Sequence, residues 1–129
     1  MDIKTHRLID TNLCGEPVEI KSDRYAKVRL NTTDDMKVDD KGLIHGGFIF
    51  GAADYCAMIC VNHPNVVLAS SHVKFLKPSK VGDVLYFEAR VLKKEDRKRI
   101  VKVIGYRQDK PIFEGEFLCV ITEKHVLDR

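Results

Sequence analysis

One acidic residue lies inside an otherwise uncharged apolar segment, and it is the first candidate for chemistry in this sequence. Between Gly46 and Val61 the only charged side chain is that of Asp54. An ionised carboxylate in apolar surroundings is costly unless it is paired, hydrogen-bonded or open to a wet cavity. Asp54 is therefore either a structural carboxylate, satisfied by a neighbouring hydroxyl or backbone group, or a functional acid with a shifted pKa.

A His-Gly-Gly sequence stands at the start of the same segment. The first backbone N–H groups of a helix have no partner within the helix and lie at the positive end of its dipole. Because glycine has no Cβ, Gly46 and Gly47 let a ligand approach these groups, and they predict a site for a carbonyl oxygen or an oxyanion. The alternative is a tight loop before the helix. His45 is either a general base or a side chain that orders this loop.

The glycine site and the carboxylate are too far apart to act on one atom within a single chain. Gly47 and Asp54 are seven residues apart, which is about 10 Å along a helix axis. Reacting atoms must approach to about 3 to 3.5 Å. Two antiparallel helices related by a two-fold axis could bring Gly47 of one chain beside Asp54 of the other. The spacing therefore predicts a dimer with two sites at its interface.

The elements that position these residues follow from the hydrophobic pattern. The run from Gly46 to Val61 predicts one buried helix about 25 Å long, which Pro64 ends. Alternation and β-branched runs predict one strand before the helix and four after it, at 24–31, 66–76, 83–93, 98–107 and 111–122. Short turns between the last four strands predict three adjacent antiparallel pairs.

Length and composition bound the class of protein. The chain has 129 residues, 44% of them apolar and 32% charged. These values predict one globular domain over 1–129, with a core at 24–123 and an N-terminal segment, 1–23, packed on it. The net charge of +3 is too small for a nucleic-acid-binding surface. The helical run is too short to span a bilayer and carries a charge, so we expect neither a nucleic-acid nor a membrane partner.

The cysteines and the first residues indicate the compartment. Residues 1–7 lack the apolar stretch and cleavage site of a secretory signal, which predicts a cytoplasmic protein. Cys14, Cys56, Cys60 and Cys119 form no C-x-x-C pair. We expect reduced thiols that act as small hydrophobic side chains, and no metal site.

Several motifs together make the chain similar to a known family. Asp54 stands nine residues after His45, and further along come Ser71-His72-Val73-Lys74-Phe75-Leu76-Lys77-Pro78 and Val81-Gly82-Asp83. These motifs resemble those of the hotdog-fold acyl-CoA thioesterases, in particular the phenylacetate-pathway-type branch. The similarity extends from about Tyr25 to Thr122, which is most of the chain.

The resemblance implies an α+β hotdog fold, in which an antiparallel sheet wraps one long central helix. Two subunits would join their sheets into a homodimer, alone or as half of a tetramer, with an acyl-CoA along the interface. Coenzyme A then belongs to the substrate, and no further cofactor is implied. The N–H of Gly47 would polarise the thioester carbonyl, the partner's Asp54 would act as nucleophile or general base, and His45 would position the thioester. The implied substrate-binding residues are Gly46, Asp40, Phe48, Ser71, Phe75 and Lys77.

The sequence departs from the family pattern at Asp40, where many members carry asparagine five residues before the histidine. The Asp40 carboxylate could instead cap the approach to the helix. Cations near turns, at Lys77, Lys80 and 97–99, form a candidate region for the phosphates of coenzyme A. For any one of them, a solvated charged edge is the more usual role.

Three functions are compatible with these residues. The first is an acyl-CoA thioesterase that releases a free acid and coenzyme A. The second is a non-catalytic acyl-CoA-binding protein, similar to the effector domain of a malonyl-CoA-responsive regulator of fatty-acid synthesis. The residues before Tyr25 are too few for a helix-turn-helix. A regulator of this kind would therefore need a partner protein to act on DNA. The third, a dehydratase, would need a second acid or base beside the helix. Asp54 favours hydrolysis, since the sensing relatives tend to lack an acid there.

Overall fold

The computed structural model describes residues 1–128, which form one antiparallel sheet and one long helix. The helices are α1 (Thr11–Cys14) and α2 (Gly46–Val61), with 3₁₀ turns at Asp34–Met36 and Val126–Asp128. The strands are β1 (Glu16–Lys21), β2 (Tyr25–Asn31), β3 (Val66–Phe75), β4 (Val84–Glu95), β5 (Lys98–Arg107) and β6 (Lys110–Ile121). The strand order is β1-β2-β4-β5-β6-β3. The predicted α+β class is confirmed.

Helix α2 packs on the inner face of the sheet and has the bounds that the sequence predicts. Every second residue of the central strands is buried in the same core as the helix, as the period-2 pattern requires. In β2 and β4 these residues are Ala26, Val28, Leu30, Leu85, Phe87 and Ala89, and in β5 and β6 they include Val101, Val103, Phe113 and Phe117. The sheet therefore covers one side of α2 with a continuous apolar surface.

The two halves of α2 have different surroundings. Every residue from Tyr55 to Val61 is buried. In the N-terminal half, Gly47 is exposed, and Phe50, Gly51 and Asp54 are only partly buried. One side of this half is therefore open in the single chain. No helix within residues 1–128 is long and apolar enough to cross a membrane.

The prediction that β3 pairs with β4 is wrong. Strand β3 pairs with β6, and the two neighbours of β4 are β2 and β5, so β4 has no free edge. The connection at 76–83 does not fold back as a hairpin, because it bonds to the chain that leads into α2. The amide of Ile44 donates to the carbonyl of Ser79 at 2.9 Å, and the amide of Val81 donates to the carbonyl of Gly42 at 2.9 Å. Strand β3 consequently lies at the edge of the sheet.

The sequence pattern did not predict α1 or β1. Strand β1 is a short edge strand with an irregularity between Pro17 and Glu19, and proline cannot donate to a strand ladder. Helix α1 is a single turn, in which the Asp10 carboxylate accepts from the amide of Asn12 at 2.9 Å. Both elements are too short for a clear period, although their apolar side chains pack on the core.

The thiols lie where the apolar pattern predicts. Cys56, Cys60 and Cys119 are buried and free, and Cys14 is free and partly buried. The Sγ atom of Cys56 lies 3.4 Å from the carbonyl oxygen of Phe87. The first three therefore fill the space between α2 and the sheet as small hydrophobic side chains.

Asn62 ends α2 and fastens the N-terminal segment to it. Its backbone is left-handed, with φ at 54°, and its amide donates to the carbonyl of Met58 at 2.8 Å. Its side-chain Oδ1 accepts from the amide of Lys4 at 2.8 Å. Its Nδ2 donates to the carbonyl of Asp2 and to the hydroxyl of Ser22, each at 2.8 Å. One buried side chain thus joins the end of the helix, the first residues and the β1–β2 turn.

Replacing Asn62 by glycine keeps the left-handed backbone accessible and removes the three side-chain hydrogen bonds. We expect Asn62→Gly to lower the free energy of unfolding by about 1–3 kcal/mol, since one such bond contributes about 1 kcal/mol. Urea denaturation at fixed protein concentration measures the change. Asn62→Asp keeps the acceptor but replaces the two donor bonds by a buried carboxylate that faces the carbonyl of Asp2, so its effect at neutral pH should be at least as large. A urea midpoint for Asn62→Gly equal to that of the wild type would show that these bonds do not stabilise the fold.

Candidate active site

The loop before α2 is held by backbone bonds, so the helix begins at a defined position. The amide of His45 donates to the carbonyl of Met36 at 2.9 Å, and the amide of Ile44 donates to Ser79 as described above. His45 occupies the cap position and Gly46 is the first helical residue. The loop that precedes the helix and the connection from β3 to β4 therefore fix the first helical amides together.

His45 and Gly47 lie against each other at the start of α2. Within residues 1–128, the His45 side chain makes no capping hydrogen bond. Its imidazole lies over the helix instead, because a Cβ placed on Gly47 would be only 2.8 Å from the His45 Nε2. The ring also contacts Phe48 edge-on, with centroids 6.0 Å apart. Any side chain at position 47 would displace the imidazole, so the glycine is needed for this arrangement.

Aromatic rings form a wall beside Gly46. A Cβ placed on Gly46 would lie 3.4 Å from the ring of Phe75 on β3. The Phe75 ring meets Phe113 edge to face, with centroids 5.3 Å apart. Phe117, also on β6, contacts Phe50 of α2 with centroids 5.7 Å apart. Phe75 remains 54% exposed, so the wall closes one side of the helix start and leaves apolar surface free.

Asp54 is partly buried, and no group in the described chain satisfies its Oδ1. This oxygen is buried and has no hydrogen-bond partner among residues 1–128. Loss of water without a compensating donor raises the pKa of Asp54 to about 6. Burial, and after it the charge of Asp54, raise the pKa of Cys119 on β6 to about 12. The hydroxyl or backbone partner that a structural carboxylate would need is thus not found for Oδ1 among residues 1–128.

Gly51 connects the two halves of the candidate site. Gly47, Gly51 and Asp54 lie on one face of α2, since residues three and four apart are neighbours on a helix surface. A Cβ placed on Gly51 would meet nothing within 4 Å in the described chain. Glycine inside a helix costs about 1 kcal/mol relative to alanine, so an open Gly51 favours close approach of another molecule. The sequence signal was a glycine one turn after Gly47 and one turn before the acid.

Three of the remaining predicted binding residues differ in burial and position. Phe48 is half-buried beside His45. Ser71 is exposed on β3, where it stands opposite Phe117. Lys77 is exposed in the connection after β3. Ser71 and Phe75 are on the same face of β3 in this register, so both border the open side of α2.

The turn before the helix is ordered by Asp39 rather than by Asp40. The Asp39 Oδ1 accepts from the amides of Lys41 at 3.0 Å and Leu43 at 3.2 Å. Asp40 is exposed in the same turn. The capping role considered for Asp40 from the sequence therefore belongs to its neighbour, and the Asp40 carboxylate faces solvent.

The cations that the sequence suggests for the phosphates divide between the two ends of α2. Lys80 lies in the connection that bonds to the start of the helix. Residues 97–99 lie near its end, where Arg99 Nε donates to Asp23 Oδ1 at 2.9 Å and the amide of Asp23 donates to the carbonyl of Cys60 at 2.8 Å. A helix of 16 residues separates the two groups by about 24 Å. They do not form one region.

The chain belongs to the thioesterase superfamily, whose family model matches residues 41–120. The match includes the His-Gly-Gly sequence, the whole of α2 with its carboxylate, and strands β3 to β5. The resemblance to the hotdog-fold thioesterases stated from the sequence is confirmed.

Two curated relatives are longer proteins that match this chain over part of their length. The chain is 53% identical over 120 residues to methylthioribose-1-phosphate isomerase from Aquifex aeolicus (strain VF5), a match that covers 93% of this chain and 26% of that protein. It is 24% identical over 126 residues to the transcription factor FapR from Caldanaerobacter subterraneus subsp. tengcongensis, covering 98% of this chain and 63% of that protein. The chain thus spans less than two thirds of each of these relatives.

Solved structures share the fold. The chain superposes on PH1136 from Pyrococcus horikoshii with a TM-score of 0.97 and 50% identity, covering 99% of this chain and 98% of that one. The fold also matches smu.793 from Streptococcus mutans UA159 bound to acetyl CoA, with a TM-score of 0.80, 22% identity and coverage of 93% and 97%. The Escherichia coli PaaI protein of the phenylacetic acid degradation operon gives a TM-score of 0.79 at 20% identity, covering 88% and 83%. The predicted hotdog fold is confirmed.

Asp54 should make stability depend on pH with a definite sign. Its pKa rises from 3.8 to about 6 in the folded chain, so the folded state binds this proton more tightly than the unfolded state. Its contribution to stability is therefore complete below about pH 4 and is lost as the pH rises through about 6. Relative to the wild type, we expect Asp54→Asn to gain about 3 kcal/mol between these limits, at about 1.4 kcal/mol per pKa unit.

Urea denaturation of both proteins across this pH range, at one protein concentration, measures the difference. Asp35→Asn changes the same chemical group at an exposed position and controls for the loss of one charge. A stability difference between Asp54→Asn and the wild type that stays constant from acid to neutral pH would contradict the raised pKa.

Proposed function

We propose that the protein is an acyl-CoA thioesterase, which hydrolyses a thioester to a free acid and coenzyme A at the interface of a homodimer in the cytoplasm. The observation that carries the proposal is the desolvated carboxylate of Asp54, whose Oδ1 lacks a partner within residues 1–128. It shares a helix face with the open backbone of Gly47 and Gly51. Such a carboxylate destabilises the fold, and hydrolysis gives it a function.

The start of α2 supplies the electrophilic assistance. The N–H of Gly47 donates to the thioester carbonyl oxygen, which lies at the positive end of the helix dipole. Attack on the carbonyl carbon places negative charge on this oxygen, and the fixed N–H dipole stabilises that charge more strongly than it stabilises the neutral carbonyl. The imidazole of His45, which lies over Gly47, positions the thioester.

The carboxylate of Asp54 starts the bond change in its ionised form. As a general base it takes a proton from water while the water oxygen bonds to the carbonyl carbon. As a nucleophile it bonds to that carbon itself, and water then cleaves the resulting anhydride. In both routes the carbon–sulfur bond breaks and coenzyme A leaves as a thiolate that takes up a proton. A pKa of about 6 leaves Asp54 mostly ionised at neutral pH and more basic than an ordinary aspartate.

A second copy of the chain completes the site. Within one chain, Gly47 and Asp54 are about 10 Å apart along the helix and cannot reach the same carbonyl. Edge strand β3 supports a dimer, because it can pair with another strand. Apolar side chains are exposed along its end, with Phe75 54% and Leu76 44% exposed. Under this proposal, two β3 edges pair across a two-fold axis and Gly47 of one protomer lies beside the partner's Asp54.

The second candidate function is binding of an acyl-CoA without turnover. It is favoured by the similarity to the transcription factor FapR, which extends over 98% of this chain. Asp54 distinguishes the two functions. A protein that only binds a thioester gains nothing from a desolvated carboxylate beside the carbonyl, and the negative charge would repel the carbonyl oxygen.

Asp54→Asn keeps the shape of the side chain and removes its basicity. We expect kcat for acyl-CoA hydrolysis to fall by at least about 100-fold, since a positioned base contributes about 10² to 10⁴-fold, while acyl-CoA binding is kept. Thiol release from short, long and aromatic acyl-CoAs measures turnover, and the ligand-induced thermal shift of the same samples measures binding. Asp35→Asn is the matched control. A thermal shift without thiol release from any acyl-CoA in the wild type would leave the sensing function, and full turnover by Asp54→Asn would exclude this carboxylate from the mechanism.

Mixed dimers test whether each site uses both chains. Gly47→Val disrupts the carbonyl site, because its side chain collides with His45, and Asp54→Asn disrupts the other half. A heterodimer of the two variants keeps one intact site if Gly47 and Asp54 come from different chains. Random mixing should then restore about a quarter of the wild-type activity. Size-exclusion chromatography with light scattering confirms the dimer. Activity that stays at the level of the separate variants would place both groups in one chain.

A further inference from the structure

A small cavity lies between the N-terminal segment and α2. It has a volume of about 210 Å³. Residues between positions 3 and 11 form most of its wall, and Pro17 of β1 and Tyr55 of α2 complete it. None of the residues in this wall takes part in the thioester chemistry proposed above. The cavity is therefore a second candidate site, lined by different residues from the face of Gly47, Gly51 and Asp54.

The hydroxyl of Tyr55 has no partner in the described chain. Tyr55 is only 2% exposed, and it meets open space in this cavity. Within residues 1–128, the only tyrosine hydroxyl that forms a hydrogen bond is that of Tyr25, which donates to Glu88 at 3.1 Å. Burial raises the pKa of Tyr55, so its hydroxyl keeps its proton at neutral pH. Buried tyrosine hydroxyls usually have a partner, and an acceptor on a bound ligand would supply one here.

His6 brings a second polar group to the same wall. Its ring lies beside that of Tyr55, with centroids 6.4 Å apart. Its Nδ1 lies 2.7 Å from the Oγ1 of Thr5. Burial lowers the pKa of His6, so the ring is mostly neutral at neutral pH. When the Thr5 hydroxyl donates to Nδ1, the ring proton is on Nε2, which can then donate to a ligand.

The wall carries positive charge and no negative charge. Among residues 1–128, the charged side chain that lines the cavity is that of Arg7. The Arg7 guanidinium forms no ion pair in this part of the chain. Nearby in sequence, the Asp10 carboxylate already accepts from the amide of Asn12 at 2.9 Å. A guanidinium together with the hydroxyl of Tyr55 suits an anion, because hydrogen bonds to a charged acceptor are stronger than neutral ones.

The rest of the wall is apolar, and the volume limits the size of the ligand. Ile3, Ile9 and Pro17 face the cavity, and both isoleucines also pack against the core. A water molecule occupies about 30 Å³ in the liquid, so the cavity has room for roughly seven non-hydrogen atoms. A single cation beside apolar side chains favours a carboxylate with a short hydrocarbon chain over a strongly hydrated anion such as phosphate.

The segment that forms the wall is ordered at both ends. The Asn62 side chain bonds to the backbone of Asp2 and Lys4, as described above. The amide of Ile9 donates to the carbonyl of His6 at 3.2 Å and closes a turn. Asp10 caps α1, the next element along the chain. A site that is already ordered loses less conformational entropy on binding than a mobile one.

The cavity is close to the candidate active site. Tyr55 directly follows Asp54 on α2. Cys14 of α1 lies near both residues. Its pKa is raised by burial and then by the charges of Asp10 and Asp54, and the charge of Cys14 in turn contributes, after burial, to the raised pKa of Tyr55. A small acid released at Asp54 would therefore be formed near this cavity.

We propose that the cavity binds a short-chain monocarboxylate. The carboxylate accepts from the hydroxyl of Tyr55 and from the guanidinium of Arg7, and the hydrocarbon chain lies against Ile3, Ile9 and Pro17. Under the proposed function a free acid is one of the two products, so the cavity holds a product outside the thioester site. This link to the reaction rests on the proposed function, whereas the site itself rests only on the contacts described above.

Two ligands of the same shape test the site. Pentanoate fills the volume, and pentanamide replaces its charged group by a neutral one. We expect pentanoate to shift the amide resonances of residues 3–12 with a Kd of about 1 mM, an ordinary affinity for a ligand of this size, and to bind more weakly as salt rises. Pentanamide and inorganic phosphate should bind at least about tenfold more weakly.

Two substitutions remove the groups that hold the carboxylate. We expect Tyr55→Phe and Arg7→Gln each to weaken pentanoate binding by about tenfold, since both remove a hydrogen bond to a charged group. Tyr106→Phe on β5 and Arg24→Gln in the β1–β2 turn make the same chemical changes outside the cavity. Their Kd for pentanoate should stay within about twofold of the wild type.

The stability of Tyr55→Phe without ligand checks the premise of the proposal. Because the hydroxyl has no partner among residues 1–128, its removal should not lower the urea midpoint. A lower midpoint than that of the wild type would show that the hydroxyl is already bonded within the protein, and it would overturn the site.

Thiol release from acyl-CoAs, measured on the same samples, separates this proposal from the proposed hydrolysis. Pentanoate that binds no more tightly than pentanamide or phosphate, or equally well to Tyr55→Phe, would overturn the carboxylate site and leave a hydrolysing enzyme intact. Pentanoate binding that Tyr55→Phe weakens, in a wild type that hydrolyses no acyl-CoA, would keep the site and overturn the thioesterase. Neither binding nor hydrolysis would overturn both.

Discussion

Helix α2 is apolar on nearly every side, and the rest of the molecule is arranged to bury that apolar surface. The inner face of the sheet covers one side, with side chains such as Phe87 and Val103. The N-terminal segment covers a second side, through α1 and the residues that Asn62 holds in place. The part that remains open is the face of Gly47, Gly51 and Asp54. Cover for that face has to come from a ligand or from another chain. The uncovered face of α2 therefore explains both why the core of the single chain is incomplete and where the candidate site lies.

The route of the chain explains why the helix begins where it does. Because β3 lies at the far edge of the sheet, the chain must cross back to reach β4. It does so beside the turn that precedes α2, and backbone bonds such as that from Ile44 to Ser79 join the two segments. These bonds orient the first amides of the helix.

The elements with strong local signals could be predicted from the sequence. Helix α2 was recognisable from its length and composition, and β2 and β4 from alternation that turns Ala26 and Phe87 inward. Asp54 and Gly47 could be selected because an isolated acid and an unhindered helix start are chemically unusual. Strand β1 was missed because Pro17 interrupts a short pattern. The predicted pairing of β3 with β4 was wrong. A short connection favours pairing between consecutive strands, but this sheet wraps around α2, and β3 lies at the edge beyond β6.

The buried sulfur atoms matter in a chain that handles activated acyl groups. A thiolate takes an acyl group from a thioester readily, whereas the protonated thiol is inert. Burial raises the pKa of Cys60 to about 12, and burial together with the charge of Asp54 does the same for Cys119. Under the proposed function, the apolar surroundings that make the carboxylate more basic also keep these thiols protonated. The protein can then catalyse transfer of the acyl group to water without acylating these two cysteines.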